Sequence, residues 1–179
     1  MISALILFKN RLIALFRMKQ KNKINKDKII NLTLVSDSSE YDRMFRETIQ
    51  GAVNAMQPEF KKETNNISVK LCKRQESKSN NKLFRNVDHE TNVLAFPTLN
   101  DDFSLSNYLG DILICVPVVI EEAEKFCITA KSRMAHMVIH GCLHLIGYDH
   151  QTDDQAGTME LKEINILERM EFSNPYLID

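Results

Sequence analysis

The segment HGCLHLIGYDH, residues 140–150, holds three of the chain's five histidines. On a helix, His140 and His144 stand four residues apart, so both rings project from one face, close enough to share one ion. Gly147 follows where helices commonly end in a left-handed turn. Such a turn would bring His150 back to the same point. H-x3-H-x5-H therefore offers three imidazoles to one metal. Imidazole donors favour zinc among divalent ions, with nickel, copper and iron also compatible. Three protein ligands leave one tetrahedral position for water, the arrangement of a catalytic rather than a structural zinc.

Position 141 limits what such a metal could do. The metzincin metalloproteases carry H-E-x-x-H-x-x-G-x-x-H, and every ligand position and the glycine are matched here. The glutamate that serves them as general base is Gly141 in this chain, so peptide hydrolysis by that route is not expected. A bound metal could still polarise a phosphoryl oxygen or lower the pKa of its water to about 7. Neighbouring residues admit several roles. His136, one turn before His140, reads as a hydrogen-bonded helix residue, with a further ligand or a donor behind the ligands as alternatives. Asp149 either orients a ligand imidazole or caps the turn. Cys142 points away from the histidine face into the core. Met159 is core, and a methionine beneath the metal is an analogy with the metzincins only.

These side chains need a scaffold of strands and helices. IINLTLVSD (29–37) and ISVKLCK (67–73) alternate as strands, and NVLAFP (92–97) and GDILICV (110–116) are short apolar strands. EYDRMFRETIQGAVNAM (40–56) is an amphipathic helix. PVVIEEAEKF (117–126) places proline in a first helical turn. Further helices are expected from about Ser132 to Ile146 and from about Asp153 to Glu171, the latter burying Met159, Ile164, Leu167 and Met170. SKSNN (77–81) reads as a polar loop. The fold class is α+β: a small mixed sheet of about four strands packed with helices, one of them a zincin-like metal-binding helix.

A chain of 179 residues, 44% hydrophobic and 26% charged, suits one ordinary domain with a real core. Four cysteines without paired spacing suggest reduced thiols. No apolar run reaches the roughly 20 residues that span a bilayer, so stable membrane insertion is not expected. The net charge of −1 conceals a basic segment from Lys70 to Arg85, whose six Lys or Arg face one acid, Glu76. That segment is a candidate surface for a polyanion, with a solvated face as the plainer reading. Residues 1–26 form a separate basic amphipathic extension. It is read as an extra helix on the domain, a targeting segment or a surface anchor. Residues 27–179 are read as the single functional domain.

Three segments carry a family resemblance. AHMVIHGCLHLIGYDH (135–150) resembles the zinc-binding segment of the YbeY-type endoribonucleases, the rRNA maturation factors. FRNVDHETNVLAFP (84–97) resembles that family's arginine, aspartate and T-[DN]-V-L-S-F-P stretch. GDILICVPVVIEEAE (110–124) resembles its G-D-I-x-I strand and following helix. The likeness extends from about residue 29 to NPY (174–176), with departures at Asn80 and Asn81, Glu90 and Ala95. It implies a cytoplasmic, single-strand-specific endoribonuclease using one zinc ion, with single-stranded rRNA and the small ribosomal subunit as partners. Its work would be maturation of small-subunit rRNA 3′ ends and ribosome quality control. The family's metal ligands fall on His140, His144 and His150, and its catalytic residues on Arg85 and His140. Two alternatives stand beside it: a metallohydrolase of another substrate class, and a non-catalytic assembly factor with a structural metal.

Overall fold

The structure is a computed structural model that describes residues 30–60, 65–98 and 107–177. The extension over residues 1–26 lies outside the described residues. Four strands, β1 (Ile30–Ser36), β2 (Asn65–Cys72), β3 (Val93–Pro97) and β4 (Tyr108–Cys115), form one mixed sheet in the order β1-β2-β4-β3. β1 with β2 and β2 with β4 are parallel, and β3 runs antiparallel to β4. Central strands covered on both faces need near-continuous apolar runs; accordingly, every residue of β4 after Tyr108 is buried.

Among the described residues five α-helices cover the sheet: α1 (Ser39–Ala55), α2 (Arg74–Arg85), α3 (Val116–Lys125), α4 (Ala130–Leu145) and α5 (Asp153–Arg169). Side chains alternate across each strand. Ile67, Val69, Leu71, Ile112 and Ile114 therefore join α1, α4 and α5 in the main core. Cys72, Leu94, Phe96, Leu113 and Cys115 form a smaller core on the opposite face, closed by Phe84 of α2 and Val118 of α3. This is the α+β mixed sheet expected, with strand and helix ends within a few residues of those read from the sequence.

α4 is the central element. Its start is capped by the Thr129 hydroxyl, which accepts from the Ser132 amide at 3.1 Å. From Met134 to Leu145 every residue is buried except His140 and His144. One narrow polar stripe on a buried helix thus carries the two histidines. Gly141 lies against the sheet: a Cβ there would sit 2.8 Å from Ile112 Cγ2 and 3.0 Å from its Cδ1. A glutamate at this position would drive its carboxylate into apolar β4. The glycine therefore serves close helix–sheet packing. Gly141→Ala is expected to destabilise the fold by about 1–2 kcal/mol, overpacking of ~1–3 offset by better helix propensity. A urea midpoint at or above that of the wild type would contradict it.

The segment 77–81 corrects the sequence reading. It is the middle of α2, with Ser77, Asn80 and Asn81 buried. Its inner face is polar because it meets backbone. The Ser77 hydroxyl donates to the Thr91 carbonyl (2.7 Å) and accepts from the Thr91 amide (3.0 Å). Asn81 Nδ2 donates to the His89 carbonyl (2.8 Å). Polar residues that look like a loop are here the partners that hold residues 87–92 against the helix.

Candidate metal centre

The three histidines converge. Each offers one ring nitrogen, and these lie within 4.8 Å of one another. Ring centroids are 4.6 Å apart for His140 and His144, 5.3 Å for His140 and His150, and 5.0 Å for His144 and His150. The convergence depends on the turn after α4. Gly147 adopts φ +97°, and the Tyr148 amide bonds back to the Leu143 carbonyl at 3.0 Å. A capping box at Thr152 and Gln155 then starts α5. His150 is held in the short link between the two.

Hydrogen bonds assign two of the tautomers. His144 Nδ1 lies 3.0 Å from the Tyr148 carbonyl, which can only accept, so Nδ1 carries the proton and donates. His140 Nδ1 donates in the same way to Glu163 Oε1 of α5 at 2.8 Å. The remaining nitrogens, both Nε2, face each other at 3.1 Å. Two lone pairs aimed at one point repel unless a cation is shared between them. Ligands held about 2.05 Å from one tetrahedral ion stand roughly 3.3 Å apart, close to the spacing observed. The donor set fits a three-imidazole metal site, and a divalent ion could be held by His140, His144 and His150.

The neighbouring residues take definite places. His136 is buried and lies outside the three-histidine group: its Nε2 donates to Glu163 Oε2 at 2.9 Å, and its Nδ1 accepts from Arg133 at 3.0 Å. It is the hydrogen-bonded helix residue expected, and Glu163 links it to His140. Asp149 caps the turn, accepting from the His150 amide at 2.8 Å. Cys142 is core. Met159 is also core, and borders a cavity of about 230 Å³ beside His140 and His150, together with Glu160, Glu163 and Tyr176. Glu163 escaped the sequence reading altogether. It is fully buried. Burial would raise its pKa, but hydrogen bonds from His136 and His140 outweigh that and hold it well below the usual carboxylate range. The only sequence signal for it is an acid on the apolar side of α5, one turn beyond Met159.

Burial, followed by repulsion from His140 and His150, pushes His144 down to about 4 from its ordinary 6.5. Between those values the unfolded chain takes up a proton that the metal-free folded protein resists. This contribution to stability is complete above pH 6.5 and is lost as the pH falls towards 4. The urea midpoint of metal-free protein should therefore drop across that window, and drop less in His144→Gln. Equal pH dependence in the two proteins would contradict it.

Arg85 is the exposed last residue of α2, ended by Asn86 in the left-handed region at φ 58°. α2 packs on the sheet face opposite α4, and no contact between Arg85 and the three histidines is recorded among the described residues. The basic segment around it is largely compensated. Lys70 pairs with Glu76 (2.6 Å) and Asp37 (3.6 Å), and Arg74 pairs with Glu90 (2.8 Å) and also with Glu121. Lys82 and Lys78 pair with Asp88 at 3.0 and 3.6 Å. Among the described residues, Lys73 and Arg85 are the cations of this segment with no ion pair. The candidate polyanion surface over 70–85 thus narrows, because acids distant in sequence fold back onto it.

Fold and site together define a class: a small α+β domain with a three-histidine group gathered at the end of its central helix. The chain belongs to the YbeY endoribonuclease family, whose model, described as Endoribonuclease YbeY, matches residues 31–171. It is 45% identical over 111 residues to Endoribonuclease YbeY of Colwellia psychrerythraea, covering 62% of this chain and 72% of that protein. It is 42% identical over 114 residues to Endoribonuclease YbeY of Pseudomonas syringae pv. syringae, covering 63% and 69%. The solution structure of a Thermotoga maritima protein shares the fold at a TM-score of 0.51 and 24% identity, over 82% of this chain and 97% of that one.

Proposed function

We propose that residues 27–179 are a zinc-dependent, single-strand-specific endoribonuclease that matures the 3′ end of small-subunit rRNA in the cytoplasm and takes part in ribosome quality control. The observation that carries this reading is the pair of facing Nε2 lone pairs on His140 and His144, in a chain of an endoribonuclease family. A zinc ion held by His140, His144 and His150 would supply Lewis-acid polarisation of a phosphoryl oxygen or a bound water acidic enough to attack at neutral pH. His140 and His144 present unprotonated Nε2 atoms because Glu163 and the Tyr148 carbonyl hold their other protons. His140 is thereby both a ligand and part of the catalytic set. Arg85 binds the scissile phosphate through its planar fork and offsets charge developing on the phosphoryl oxygens. Its freedom from ion pairs among the described residues leaves that fork available.

No described helix is long and apolar enough to cross a membrane. The small ribosomal subunit is the proposed partner, as the carrier of the rRNA end. Incubating the protein in parallel with single-stranded RNA, the same sequence as a duplex, and casein tests the substrate class. Cleavage of the single strand alone is expected. Cleavage of casein without RNA cleavage would select a different hydrolase.

A further inference from the structure

Glu163, itself fully buried, sits at the hub of a polar chain that reaches α4 from two sides. On one side, Oε1 accepts from His140 Nδ1 at 2.8 Å. On the other, Oε2 accepts from His136 Nε2 at 2.9 Å and from the Tyr176 hydroxyl. Behind His136 the chain continues. Arg133 donates to His136 Nδ1 at 3.0 Å and, through Nε, to Glu122 Oε2 at 2.9 Å. Glu122 Oε1 in turn accepts from Asn92 Nδ2, just before β3, at 3.0 Å. Each link fixes the donor or acceptor role of the next. Because Arg133 can only donate, His136 must accept at Nδ1 and donate at Nε2, which requires an accepting carboxylate at Glu163.

A buried carboxylate needs several donors, and these three provide them. The arrangement does more than satisfy a charge. It selects one tautomer of His140 and fixes the ring plane, so that Nε2 points to the place where His144 Nε2 also points. We infer that Glu163 is the positioning residue of the metal centre, holding His140 in its ligating tautomer, and that Tyr176, from the C-terminal segment, secures Glu163 in that role. Carboxylates placed behind a histidine ligand raise its basicity and order it, and their loss commonly weakens metal binding by about 10–100-fold. The inference rests on the reading of the three histidines as metal ligands, and assigns a task to NPY (174–176), a segment otherwise without one.

The test uses two readouts on the full chain. Zinc affinity is measured by competition with a chromophoric chelator, in wild type, Glu163→Gln and Tyr176→Phe. The protonation pattern of His140 is read in metal-free protein from long-range proton–nitrogen correlations. Glu163→Gln should bind zinc about 10–100-fold more weakly, and its His140 should lose the single Nδ1-protonated form expected in wild type. A folded Glu163→Gln that keeps both wild-type affinity and wild-type His140 tautomer would overturn the inference. Should Glu163→Gln fail to fold, Tyr176→Phe decides: a several-fold weaker affinity supports the inference and an unchanged one overturns it. If wild type takes up no zinc, the metal reading itself fails. The metal-free tautomer measurement would still report separately on Glu163.

Discussion

His144→Ala is expected to lose its metal and, with it, RNA cleavage, on the order of a thousandfold or more, equivalent to about 4 kcal/mol of barrier. His144 supplies one of the two facing Nε2 atoms, and its ring is locked by the bond to the Tyr148 carbonyl. Removing it leaves His140 and the exposed His150, which together cannot complete a three-ligand set. The fold should survive, because His144 is only half-buried and its neighbours Leu143 and Leu145 keep α4 in the core. Metal content, circular dichroism and cleavage measured on one preparation separate these effects. The same preparation addresses the assembly-factor reading. A structural metal would take the fold with it when chelated, whereas a metal at an open three-ligand site should leave most of the fold behind. Full cleavage by a metal-free His144→Ala protein would contradict the assignment.

Arg85→Ala is expected to slow cleavage by about 10²–10³-fold, the size of effect seen when one donor to a developing oxyanion is removed. Zinc content should not change. Stability should stay within about 0.5 kcal/mol, since Arg85 is exposed and makes no ion pair among the described residues. Arg85→Lys should recover only part of the rate, because an ammonium cannot reproduce the bidentate fork. An Arg85→Ala protein that cleaves at the wild-type rate would remove Arg85 from the mechanism. The neighbouring Lys82→Ala provides the contrast: its charge is already engaged by Asp88 at 3.0 Å, so its effect should be much smaller.

How much of this was legible in the residues differs by element. The histidine segment was readable because helical spacing and a turn glycine are local rules, and the φ of Gly147 and the ring separations agree with them. β1 and β2 were readable from alternation, and β3 and β4 from short apolar runs bounded by Pro or Gly. α2 was not, because Ser77 and Asn81 bury polar side chains against the backbone of residues 87–92, a partner that propensity cannot see, while Asn80 bonds back to the Glu76 carbonyl within the helix. The compensation of the basic segment was hidden for a similar reason. Asp37, Asp88, Glu90 and Glu121 return to it only through the fold. Glu163 was missed because an acid on a helix's apolar face carries no local mark of its purpose. Its significance depends on His136 and His140, 27 and 23 residues away in sequence.

The metal and the reaction are joined most directly by cleavage of a single-stranded fragment of the small-subunit rRNA 3′ end. It would be measured with wild-type protein as purified, after chelation, and after zinc is restored. Discrete cuts are expected that vanish on chelation and return with zinc, with His144→Ala inactive throughout. Cleavage that persists after the metal is gone, or that His144→Ala from a matched preparation reproduces, would contradict it.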